Sequence, residues 1–164
     1  MPTYTSSISI AANAAPVWQA LSDVVRWPEW LPTVTAVEAL DAPALATGRR
    51  FRIVQPRLRP AVWTVSALNP PLAFAWTSAS PGLRVRAEHT VEAVAPGQVR
   101  VTLCIAFSGF LAPLVGRLAG PLTREYLDKE AAALKRDANS GIPGIGAPSN
   151  VPHRRWSEGP IFST

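Results

Sequence analysis

Residues 33–108 leave no room for a helix between strands, and this limits the fold more than any other feature of the chain. Six segments rich in β-branched and aromatic residues follow one another at 33–40, 48–55, 61–68, 72–78, 83–94 and 99–108. Three of the connections are very short: "NPP" at 69–71, "SPG" at 80–82 and "APG" at 95–97. A parallel neighbour needs a crossover of roughly a dozen residues or more, so these strands are expected to pair antiparallel.

Alternation along the segments separates two faces. Phe51 and Ile53, Trp63 and Val65, Phe74 and Trp76 share one side with Val85, His89 and Val91, and with Val101, Leu103, Ile105 and Phe107. The other side carries Arg50, Arg52, Arg84, Arg86, Glu88, Glu92 and Arg100. One apolar and one wet face is the pattern of an antiparallel sheet covered on one side only.

The ends of the chain supply a seventh strand and the cover. Residues 3–11 alternate with period two, placing Tyr4, Ser6, Ile8 and Ile10 on one face. Asn13 is then suited to cap a short amphipathic helix over 14–25, with Pro16 in its first turn. "RWPEWLP" permits a single helical turn bearing Trp27 and Trp30. From Leu111 the composition turns helical, and Pro121 predicts a kink or break near Gly120. Gly116, Gly120, Thr123, Leu127, Ala131, Leu134 and Ala138 form one line along that helix, its first half nearly without side-chain volume. Two readings stand: the small residues enlarge a cavity, or they let helix and sheet approach closely. The expected class is α+β, a curved antiparallel sheet around a long C-terminal helix with two short helices after the first strand. The domain is expected over 1–139, with a Gly/Pro/Ser-rich tail at 140–164 in which Trp156 and Phe162 could act as anchors.

Charge and cysteine content narrow the functional classes. The formal charge is +5, yet the arginines are scattered and partly interleaved with acids, unlike the clustered charge of a nucleic-acid binder, so none is expected as a partner. A single cysteine, Cys104, rules out an internal disulfide and a multi-cysteine zinc site. The N-terminal residues do not read as a signal peptide, and no apolar run approaches the length of a membrane span, so a cytoplasmic protein is expected. A homodimer is compatible with the sequence.

A sheet curved around one helix is expected to leave a hollow between them, the usual setting of a small-molecule pocket. Trp63, Phe74, Trp76, Phe51, Ile53 and Phe107 would supply apolar walls, and Leu122 and Tyr126 would join from the helix. Trp30 would stand at an entrance, and Gln55 and His89 would be the sparse polar groups. A histidine among inward apolar neighbours needs a partner, because an unsatisfied buried polar group costs roughly 1–3 kcal/mol. His89 is therefore either a structural residue bonded to a neighbouring group such as Tyr126, or a ligand contact. No Ser-His-Asp set, no metal-binding cluster on the inner face and no phosphate-binding glycine loop is visible, and no cofactor is expected.

Several strings carry a resemblance: "APVWQALSDVVRWPEWLPTVTAVE", "GRRF", "WTVSALNPPLAFAW", "AEHTVEAVAPGQVRVTL" and "REYLDKEAAALKRDA". Over residues 3–138 the chain resembles the START-like superfamily, in its bacterial polyketide cyclase/dehydrase and lipid-transport branch. The resemblance implies a helix-grip fold, in which a seven-stranded sheet grips the last helix over a cavity for a lipid, polyketide, quinone or hormone. Aromatic polyketide cyclases of this superfamily hold their substrate with an arginine and tyrosine hydroxyls. Here the tyrosines are Tyr4 and Tyr126 alone, and most strand arginines face outward, Arg49 and Arg59 lying at strand ends. The first expectation is a binder of a small hydrophobic molecule. The alternative is a cyclase or dehydratase using His89 as general acid or base, and a third is docking of a protein partner on the outer face or tail.

Overall fold

The computed structural model describes residues 1–139; the segment 140–164, with its expected anchors Trp156 and Phe162, lies outside the described residues. The chain runs β1 (Thr3–Ile10), α1 (Ala14–Ser22), a 3-10 turn (Val24–Arg26), α2 (Trp27–Trp30), β2 (Ala36–Ala39), β3 (Arg50–Val54), β4 (Ala61–Asn69), β5 (Ala73–Ser80), β6 (Leu83–Ala95), β7 (Gln98–Ser108) and α3 (Ala112–Asn139). All seven strands form one antiparallel sheet in the order β1-β7-β6-β5-β4-β3-β2. Gly82 and Gly97 turn the two tight hairpins with φ of +76° and +68°, a region that suits glycine.

The alternation read from the sequence holds. Phe51, Ile53, Val65, Phe74, Trp76, Ala87, His89, Val91, Val101 and Leu103 are buried on one face, whereas Arg50, Arg52, Arg84, Arg86 and Arg100 stay exposed on the other. Register explains how the core rows align. Trp76 pairs with Val65 and Ala87, and His89 with Phe74 and Leu103, so each row crosses the sheet. The long helix lies on this apolar face, and α1 and α2 close the end where α3 finishes.

The structure narrows two readings of α3. The helix continues through Pro121 without a break. The small residues also do not open a hollow. A Cβ on Gly116 would lie 2.5 Å from the Pro2 ring, and one on Gly120 would lie 2.5 Å from the Tyr4 hydroxyl. That hydroxyl donates to the Gly116 carbonyl at 2.6 Å. The glycines are there for close approach to β1, and the front of α3 is packed against it. Asn13 precedes α1 in extended conformation, but its side chain forms no capping hydrogen bond.

Candidate functional site

Behind the front of α3 the apolar face is filled by an aromatic cluster. Trp27, from α2, reaches over the sheet and holds its place by donating its indole N–H to the Leu21 carbonyl at 3.1 Å. Its ring meets Trp76 at 5.3 Å and His89 at 5.5 Å between centroids. Trp63 lies 5.5 Å from Trp76, and Phe74 stands edge-on to Trp76 at 5.4 Å. Phe74 and His89, cross-strand partners, stack almost parallel at 4.4 Å. An imidazole thus sits in a box of aromatic rings.

His89 is 4% exposed and, among the described residues, has one hydrogen-bond partner, Glu130 of α3, with Nε2 3.0 Å from Oε1. A carboxylate only accepts, so Nε2 carries the hydrogen, and in the neutral ring Nδ1 is left as a bare lone pair. Among the described residues Nδ1 is buried without a partner. Tyr126, one candidate for that partnership, instead donates its hydroxyl to the Pro56 carbonyl and ties α3 to the segment after β3. Glu130 is the residue the sequence reading missed. Beside Lys129 it looks like one of a solvated charge pair, but it lies three residues after the inward Leu127 and four before the inward Leu134.

Two hollows adjoin this cluster. The interior one, lined by Ile53, Gln55, Trp63, Trp76, His89 and Glu130, measures about 50 Å³. This is the place where the sequence put the ligand, and it has room for a few water molecules at roughly 10–15 Å³ each. The larger one, about 780 Å³, opens on the other side of the aromatic layer. Its walls come from α1 (Trp18, Gln19), α2 (Trp30), the β2–β3 connection (Pro43, Leu45), the end of β4 (Leu68) and the end of α3 (Asp137). Trp18 and Trp30 separate the two spaces: Trp18 meets Phe74 edge-on at 6.3 Å and Trp30 meets Trp27 at 6.4 Å.

The groove has a charged end. Arg26 clasps Glu29 through hydrogen bonds of 2.7 and 3.0 Å, which hold the Glu29 carboxyl below its ordinary pKa. Burial pushes the Asp137 carboxyl above its ordinary value, with nearby Arg26 pulling the other way. The groove thus offers aromatic walls and a cation set between carboxyls.

The candidate residues from the sequence therefore divide. Phe51, Ile53, Gln55, Trp63, Phe74, Trp76 and His89 gather around the interior hollow, with Glu130 added. Trp30 lines the groove. Phe107 sits apart, edge-on to Tyr4 at 6.1 Å, and Leu122 is a half-buried residue of α3 that borders neither hollow. Among the described residues no group of three His, Cys, Asp or Glu is placed to hold a metal ion, and no helix is long and apolar enough to cross a membrane.

A family model described as polyketide cyclase / dehydrase and lipid transport matches residues 1–139. The chain belongs to this family. A search of curated proteins gives no match. Among solved structures, the cyclase/dehydrase fold seen here is similar to the protein XoxI from Bacillus cereus (15% identity, TM-score 0.69, covering 84% of this chain and 95% of that one). It is similar to norcoclaurine synthase from Thalictrum flavum, solved in complex with dopamine and hydroxybenzaldehyde (12%, 0.68, 85% and 87%). The Zhui aromatase/cyclase from Streptomyces sp. R1128 is a third such structure (16%, 0.63, 85% and 97%). At these identities the likeness is one of fold. It supports the helix-grip architecture read from the sequence.

Proposed function

We propose that the chain binds a small hydrophobic molecule, aromatic or lipid-like, and that the groove between α1, α2 and the end of α3 receives it. The observation that carries this reading is the groove's size and lining. At about 780 Å³ it falls within the roughly 300–1,000 Å³ of ligand pockets, and Trp18, Trp30, Leu45 and Leu68 supply apolar walls. Flat rings can lie against the two indoles, and Arg26 and Gln19 can orient a polar end. Membership of a polyketide cyclase/dehydrase and lipid-transport family supports this class of ligand. So do neighbours of the same fold described with dopamine and hydroxybenzaldehyde or as an aromatase/cyclase.

Titrating aromatic and acyl compounds while following tryptophan fluorescence tests the reading. A saturable change is expected, weakened about tenfold or more in Trp18→Ala or Trp30→Ala, since each truncation removes one large apolar contact. No response to any apolar class, or unaltered affinity in both variants, would refute it.

A second reading, catalysis, is favoured by the orphan Nδ1 of His89. With Nε2–H held by Glu130, the free lone pair of Nδ1 is a general base, and the carboxylate would stabilise the imidazolium formed when it takes a proton. The interior hollow holds water at most, so the proton would travel through a bound water. Removing such a base should lower the rate roughly 10²–10⁴-fold in His89→Ala. An unchanged rate with a polyketide-like substrate would eliminate this role.

A further inference from the structure

The start of α3 presents an apolar ridge to solvent. Phe110 is 82% exposed, Leu114 57% and Leu118 73%, and their spacing of four places them on one side of the helix and its approach. Single exposed apolar side chains are ordinary, but three in register are not. Phe110 lies over the β5–β6 turn, where a Cβ on Gly82 would meet its ring at 2.5 Å. The turn and the ridge therefore form one edge of the molecule.

The charge on that edge has a single sign. Arg117 follows Leu114 by one turn, is exposed, and has no ion-pair partner among the described residues. Residues 77–87 and 105–124 contain no Asp or Glu. Apolar side chains beside an unpaired arginine, without acids, suit an interface that is hydrocarbon within and anionic at its face. A second copy fits poorly, since two such ridges facing each other would bring like charges together.

We propose that the protein settles on an anionic lipid surface through this edge, with Phe110, Leu114 and Leu118 entering the headgroup boundary and Arg117 meeting lipid phosphates and carboxylates. At 1.5 Å per residue the 28 residues of α3 span about 40 Å, so the groove near Asp137 stays at the far end of the helix. The inference is independent of what the groove binds.

Cosedimentation of the full chain with vesicles of equal parts phosphatidylserine and phosphatidylcholine, against phosphatidylcholine alone, is the test. Binding is expected to the first and much less to the second, and to fall as salt is raised. Leu114→Asp with Leu118→Asp should weaken it about tenfold or more, and Arg117→Gln roughly fivefold. All three positions are solvated, so circular dichroism of the variants should match the parent. Absence of vesicle binding, equal binding to both vesicle types, or binding that survives the double leucine change would overturn the proposal. So would self-association, seen by light scattering, that the leucine change abolishes while vesicles remain unbound.

Discussion

Replacing Glu130 by alanine measures what the buried imidazole costs the fold. His89 is 4% exposed, its Nδ1 already lacks a partner, and Glu130 is the acceptor for Nε2. Without the carboxylate, both ring nitrogens stand unsatisfied among Phe74, Trp27 and Trp76. A stranded buried polar group costs roughly 1–3 kcal/mol, and loss of a charged partner lies at the upper end, so about 3 kcal/mol is expected. At about 4 °C per kcal/mol for a domain of this size, the melting temperature should fall by roughly 12 °C. Replacing both partners together, His89→Phe with Glu130→Leu, substitutes apolar groups into an aromatic box and should return stability to within about 1 kcal/mol of the parent. Urea unfolding followed by circular dichroism gives both values, with the midpoint moving and the slope unchanged. A single-variant loss below about 0.5 kcal/mol, or a double variant as unstable as the single, would show that the pair is not desolvated as described. If the double variant is stable, the polar pair is not required for folding, which leaves function as the reason for its presence.

Three further outcomes follow from contacts described above. Gly120→Ala should destabilise by about 1–3 kcal/mol, and by less in a Tyr4→Phe background, because the new methyl meets the Tyr4 hydroxyl first; thermal melts of the four proteins decide it. Trp27→Phe removes the donor to the Leu21 carbonyl and should cost about 1–3 kcal/mol in denaturant unfolding, mostly through the buried acceptor left behind. Asp41 is held below its ordinary pKa by the Arg50 side chain and backbone N–H, so it adds stability above the usual carboxylate range and loses it as pH falls through the lowered value. The melting-temperature gap between parent and Asp41→Asn should therefore be open at neutral pH and close in strong acid.

Much of this architecture was legible because strands write their faces into the sequence with period two. Phe51/Ile53, Phe74/Trp76 and Val101/Leu103 could be assigned inward from parity alone, and the short "NPP", "SPG" and "APG" turns fixed the antiparallel pairing. Helices are less explicit. The same glycine stripe is compatible with a void or with close packing, and only the position of Tyr4, more than a hundred residues away in sequence, decides between them. Glu130 was hidden for a related reason. A long side chain at the margin of an inward stripe can turn to solvent or to the sheet, and what turns it inward is His89, on another element. The groove was not legible at all, since the β2–β3 connection that brings Pro43 and Leu45 to α1 carries no periodic signal.

The pairing of β1 with β7 sets the order in which the molecule can be completed. Thr3 waits for Ala106, so the first strand made is among the last to find a neighbour, and closing a span of about a hundred residues is an entropically expensive, slow step. During synthesis the meander from β2 to β6 emerges with its inner surface covered only in part, by α1 and α2, until β7 and then α3 arrive. Ribosome-bound or C-terminally shortened chains ending before residue 106 would consequently be sticky, chaperone-dependent species with no partner for their opening strand.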